Sequence, residues 1–138
     1  MAETENKDLV RAYVETVLNH GDLNALADFF AADCIDHTAP GGALLGRAGI
    51  GALLAATLAA FSDVRVTIED LVAEGDTVAS RLTLKGRHTG EFMGMAATGA
   101  EINTLQISID RIADGRIVEH WGLTDQSALL QQLGGGVS

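Results

Sequence analysis

Basic residues are scarce in this chain, cysteine and proline almost absent, and long apolar runs missing altogether. Nine Lys and Arg stand against nineteen Asp and Glu, a formal net charge of −10. Nucleic-acid binding needs cations that displace counterions along the phosphates, so that class is excluded. The same balance argues against anionic membrane surfaces. The single cysteine, Cys34, can form no internal disulfide, which fits a reducing compartment. It lies between Asp33 and Ile35 with no base beside it, so a reactive thiol is not expected. No apolar run approaches the ~20 residues that span a bilayer. The start, MAETENKD, is acidic, the opposite of a secretory signal. A cytoplasmic location without membrane partners is the expectation. No glycine-rich phosphate loop and no G-x-S-x-G nucleophile turn occurs.

What is present is a chain of 138 residues, 47% hydrophobic, enough for one packed domain spanning 1–138. Leu9, Val10, Tyr13, Val14, Val17 and Leu18 predict an amphipathic helix from about Thr4 to His20, stopped by Gly21. Asp22 is expected to cap a second, shorter helix through Leu23, Leu26, Phe29 and Phe30. Asp33–His37 reads as a short extended piece, and Thr38–Gly46 as a loop with the only proline. A third helix carries Ile50, Leu53, Leu54, Leu58 and Phe61 on one face.

From Val64 the period becomes two. A strand leads through the turn Glu74-Gly75-Asp76 into a second, where Val78, Ser80, Leu82, Leu84, Gly86 and His88 share a face. Thr89–Ala100 reads as a long loop. Asp114-Gly115 is a hairpin signal joining two further strands, Glu101–Asp114 and Gly115–Asp125. By alternation alone Leu105, Ile107 and Ile109 would be core, and Thr104, Gln106 and Ser108 the solvent face. Asp125 is placed to cap a closing helix over Ser127–Leu133, and the Gly134–Ser138 tail is expected to be mobile. Helices first and antiparallel strands afterwards give an α+β domain.

His37, His88 and His120 each fall at or near a strand end. Asp36 and His37 are adjacent in an extended piece, so only one of them can face a pocket. A carboxylate shielded by an apolar cavity can act as acid or base near neutral pH, and a tyrosine such as Tyr13 can donate to an oxyanion. The histidines lack close ligand spacing, so no metal is expected.

Taken in order, NHGDLNALADFFAAD, the Asp36-His37 pair, GRAGI opening a helix, GRHTGEFMGMAATG and DGRIVEHWGLTD resemble the SnoaL-like polyketide cyclases and ester cyclases. That family belongs to the nuclear-transport-factor-2-like (NTF2-like) superfamily, and the resemblance runs from about Leu9 to Gly134. It implies a curved antiparallel sheet around a cone-shaped pocket closed by three helices, usually as a homodimer through the sheet's outer face. It also implies cofactor-independent ring closure in an aromatic polyketide ester by an intramolecular aldol reaction, with a carboxylate as acid/base and a histidine assisting. On the matching segments that carboxylate's position is Gly122 and the histidine's is Ser108, so both groups are absent here. The match also sets strand parity. With Ser108 and Gly122 inward, Thr104, Gln106, Asp110, Val118 and His120 face the pocket too. Ketosteroid isomerases of the superfamily place a tyrosine donor near Tyr13 and a base carboxylate near Asp36.

The combined reading is a cofactor-independent enzyme working by acid/base carbon-acid chemistry, cyclase-like or isomerase-like, on an apolar carbonyl compound. Asp36 or His120 would be base or acid, with His37, His88 and Tyr13 as partners. Phe30, Phe92, Met93, Met95, Gln106, Ser108, Val118, Trp121 and Gly122 would bound the substrate. The alternative is a non-catalytic binding protein for a hydrophobic small molecule, which the losses at Ser108 and Gly122 favour.

Overall fold

Val10, Val14 and Val17 recur three to four residues apart, and the first helix buries all three. The structure is a computed structural model that describes residues 2–37 and 44–134. Helix α1 runs Ala2–Tyr13 and continues as a π-helical stretch, Val14–Asn19. Gly21, at φ 71°, ends it, as the sequence predicts. A 3₁₀ turn, Leu23–Ala25, leads into the four-residue α2, Leu26–Phe29. Asp22 makes no side-chain cap, contrary to expectation. Phe30 is not helical either. It opens strand β1 (Phe30–Asp36), because its ring is buried against Tyr13, with centroids 5.0 Å apart and planes at 83°. Arg47 and Arg116 hold this junction by donating to the carbonyls of Phe30 and Ala27.

After the two-residue β2 (Leu44–Leu45), α3 (Gly46–Ala60) passes without a loop into β3 (Phe61–Glu74). Phe61, expected on the helix, is thus the first strand residue. Strands β4 (Thr77–His88), β5 (Glu101–Ala113) and β6 (Arg116–Thr124) follow, then α4 (Gln126–Gln132). Asp125 caps α4, its carboxylate accepting the Ala128 N–H at 3.1 Å, as expected. Residues 38–43 of the predicted loop and 135–138 of the predicted tail lie outside the described residues. No described helix is long and apolar enough to cross a membrane.

The six strands form one sheet in the order β2-β1-β6-β5-β4-β3. Every pair is antiparallel except β1 with β6. Asn19 finishes the outer edge at β3, where its amide donates to the Val66 carbonyl and accepts the Val66 N–H. One face of the sheet is covered by the helices and carries Val66, Val78, Leu82, Ile112 and Ile117 into the main core. A second, smaller core of Ala60, Phe61, Ile102, Leu129 and Leu133 lies under α4. Cys34 is buried, and burial pushes its thiol pKa up, in keeping with an inert cysteine.

Along β5 the covered residues are Ile102, Thr104, Gln106, Ser108, Asp110 and Ile112. This is the parity the family resemblance implies, and the reverse of what simple alternation of apolar residues gave. Leu105, Ile107 and Ile109 face outward and are exposed.

The β5–β6 turn has Asp114 at φ 52° and Gly115 at φ 73°, the paired left-handed residues of a two-residue hairpin. That turn pairs Ala113 with Arg116 and Ile112 with Ile117. One residue, Val118, is then extra, and beyond this bulge the register is Arg111 with Glu119 and Asp110 with His120.

Candidate active site

Three polar side chains meet across β1, β6 and β5 because the strand registers bring them level. Asp36 pairs with His120 in the parallel ladder, and Asp110 pairs with His120 in the antiparallel one. Asp36 and Asp110 are both buried on the covered face. His120 Nδ1 lies 2.6 Å from Asp110 Oδ1. The carboxylate accepts, so Nδ1 carries the proton and Nε2 is the ring atom left for chemistry. Tyr13 completes the group from α1, its ring edge-on to Phe29 and Phe30.

Electrostatics follow from this geometry. Burial disfavours the charged form of His120, but the Asp110 hydrogen bond and the Asp110 and Asp36 charges outweigh it, leaving the pKa above the ordinary 6.5. Burial, then Asp110 and Asp36, push the Tyr13 phenol well above its usual value, so it stays a donor. A histidine whose pKa is raised on folding binds more protons folded than unfolded between the two values. Its stabilising effect is full below the unfolded pKa and is lost as pH rises through the folded one. Unfolding free energy, measured by denaturant titration at a series of pH values, is therefore expected to decline upward from about pH 6.5. His120→Gln should flatten that decline.

Gly122 shows where a ligand would be received. A Cβ built there would stand 2.9 Å from His120 Nε2, 3.3 Å from Gln106 Nε2 and 3.4 Å from Ser108 Oγ. Glycine thus leaves room beside a proton-transferring nitrogen, an amide N–H and a hydroxyl. Gln106 donates to Ser108 Oγ at 3.1 Å, so the hydroxyl proton is available to an acceptor in that room. The arrangement can take a proton from a carbon acid at Nε2 and meet a developing oxyanion with two neutral donors.

The remaining candidates lie elsewhere. His37 is on the outer face, stacked on Trp121 (centroids 4.6 Å apart, planes 11°) and bonded to Glu119 at 2.7 Å. It comes directly after Asp36, the last residue of β1, and Asp36 took the inward place. Trp121 pairs with outward Ile109 and is likewise outward. Val118 is the bulge residue, and Ile117 takes the buried position instead. His88 is buried in a different place, beside Phe61 and the 89–100 loop. Phe92 and Met95 pack there too, against the smaller core, while Met93 is 69% exposed at the loop tip. Phe30 is a core residue whose ring packs edge-on to Tyr13.

Asp110 is the residue that sequence reasoning put on the right face without assigning it a role. Its pairing with His120 depends on the bulge, which no turn signal announces. Among the described residues no group of three or more His, Cys, Asp or Glu could hold a metal ion. Two open surface clefts, of about 790 and 500 Å³, lie at the hairpin tips and beside Arg87 and Gln132, and involve none of these side chains.

Comparison with known proteins agrees with this architecture. A family model described as SnoaL-like polyketide cyclase matches residues 7–133. Aklanonic acid methyl ester cyclase DnrD of Streptomyces peucetius is 34% identical over 134 residues, 92% of this chain and 89% of that protein. Among solved structures, IdmH, a putative polyketide cyclase of Streptomyces antibioticus, is 35% identical with a TM-score of 0.81, over 94% of this chain and 98% of that one. TsrD of Streptomyces laurentii is 28% identical with a TM-score of 0.87, over 96% of each chain.

Proposed function

For a chain that belongs to the SnoaL-like polyketide cyclase family, we propose a cofactor-independent enzyme whose proton-transferring group is His120. The observation that carries this is the placing of His120 Nε2, oriented through Nδ1 by Asp110, beside the room that Gly122 leaves. The substrate class is an apolar compound with an acidic C–H next to a carbonyl, of the aromatic polyketide ester kind.

Neutral His120 takes the proton at Nε2, and the resulting imidazolium is held by Asp110, with Asp36 alongside. Ser108 Oγ–H and Gln106 Nε2–H donate to the enolate oxygen. The enolate carbon attacks a second carbonyl of the same molecule, and the imidazolium returns its proton to the new alkoxide. Atoms balance without a redox partner. His120 then stands in for the carboxylate that the family pattern has at position 122. Turnover of aklanonic acid methyl ester, followed by the product's absorbance, tests the reading. Ring closure by the wild type supports it, and inertness toward this and related polyketide methyl esters counts against it.

A homodimer belongs to the same proposal. Leu105, Ile107, Ile109, Trp121 and Leu123 form an exposed outward stripe on β5 and β6, a contiguous apolar patch of the kind that marks an interaction surface. Sedimentation velocity should show the wild type as a dimer and Ile107→Lys as a folded monomer. A wild-type monomer at micromolar concentration would remove this part.

A further inference from the structure

Away from the His120 group, one fully buried histidine has half of its ring accounted for. The covered face of β4 ends in His88, 0% exposed. Its backbone N–H donates to the Ala100 carbonyl, and its carbonyl accepts the Gly99 N–H. The Thr98 N–H donates to His88 Nδ1 at 3.2 Å, and the Thr98 hydroxyl lies 3.0 Å from the same atom. An acceptor at Nδ1 has no proton of its own, so in the neutral ring the proton is on Nε2. That Nε2 is buried and has no hydrogen-bond partner among the described residues. Phe61 and Phe92 flank the ring, with centroids 5.5 and 6.5 Å away.

Loop anchoring explains Nδ1 and leaves Nε2 unexplained. An unmade hydrogen bond at a buried donor is costly, and a residue without that donor could have packed against the phenylalanines. His88 also shares the inward face with Leu82 and Leu84, the side on which the His120 group lies. Its backbone opposes Ala100, the residue just before β5.

We propose that His88 Nε2–H is a second substrate handle, donating to a carbonyl or ester oxygen of a flat aromatic ligand whose rings lie against Phe61 and Phe92. This rests on the function proposed above and extends it. The substrate is then held at two separated points, with the reacting carbon at His120 and an acceptor oxygen under the 89–100 loop. His88 binds and orients, and takes no part in proton transfer.

Two substitutions separate anchoring from binding. His88→Asn keeps an acceptor near the place of Nδ1 and lacks the Nε2 donor. His88→Gln offers an amide N–H near the place of Nε2. With aklanonic acid methyl ester as the probe, calorimetric Kd values would be compared in a His120→Ala background, where turnover does not interfere. The expected result is about tenfold weaker binding for His88→Asn and recovery of most of it in His88→Gln. Nitrogen-15 spectra of the wild-type ring should show the proton on Nε2, with its resonance moving when the probe is added. Equal binding with histidine and asparagine at position 88, or a proton on Nδ1, overturns the handle alone. No binding with histidine at position 88 overturns the substrate class and the handle with it.

Discussion

His120→Ala is expected to lower kcat/KM for a polyketide methyl ester by about 10²–10⁴-fold, the range that a positioned acid/base group supplies. The fold should survive, since His120 lies among the polar side chains and not in either apolar core. Asp110→Asn is the companion variant. The amide can present its N–H to Nδ1, which favours the tautomer with the proton on Nε2, and removes the charge that stabilises the imidazolium. Its activity should fall nearly as far. The double variant should be little worse than either single one, because the two residues act as a unit. The pH–rate profile carries a further signature. Activity in the wild type should rise with pH through a value above 6.5, as the base deprotonates, and in Asp110→Asn that rise should move to lower pH. Full activity in His120→Ala would leave the proposal without its base.

Gly122→Ala is expected to separate activity from stability. The added methyl would stand 2.9 Å from His120 Nε2, the far end of a side chain that can turn away. Turning lengthens the 2.6 Å bond to Asp110 and moves Nε2 out of line, and a displacement of about 1 Å at a reacting group can cost 10²-fold. Alanine in place of glycine within a strand gains back roughly 0.5–1 kcal/mol. The thermal midpoint should therefore hold while kcat/KM falls by about ten- to a hundredfold. Unchanged activity with a lowered midpoint would mean that the room above Gly122 serves packing and not a ligand.

Much of the fold could be read from the sequence because local signals agreed with the final packing. Gly21, Asp114-Gly115 and Asp125 each mark a boundary by a backbone or capping requirement that few other residues meet. The site was harder to read. Which side of β5 is covered could not follow from alternation, since polar Thr104, Gln106 and Ser108 line the inner face and apolar Leu105, Ile107 and Ile109 the outer. Family resemblance supplied that parity. His37 and Asp36 are neighbours at the end of β1, and only the β1–β6 pairing decides which of them is inward. His88 looked equivalent to His120 because both follow inward residues on long strands. The sheet sets them at different levels, a relation that strand parity does not encode.

The Val118 bulge has a consequence for how this site can change. Two turn residues with left-handed backbone fix where β6 begins, and if Val118 took a regular place in the ladder His120 would fall opposite outward Ile109. Single-letter changes beyond the bulge, like those that distinguish positions 108 and 122 from the cyclase pattern, alter one group and leave the others in place. Adding one residue between Val118 and Glu119, with the bulge still one residue wide, would instead exchange the two surfaces of the distal strand together, carrying Trp121 into the interior and His120 out of it. Removing Val118 would leave Glu119 opposite Arg111 and His120 opposite Asp110. Over this stretch the chain can be rewritten in spelling, and can even lose its spare residue, but it has no room to grow.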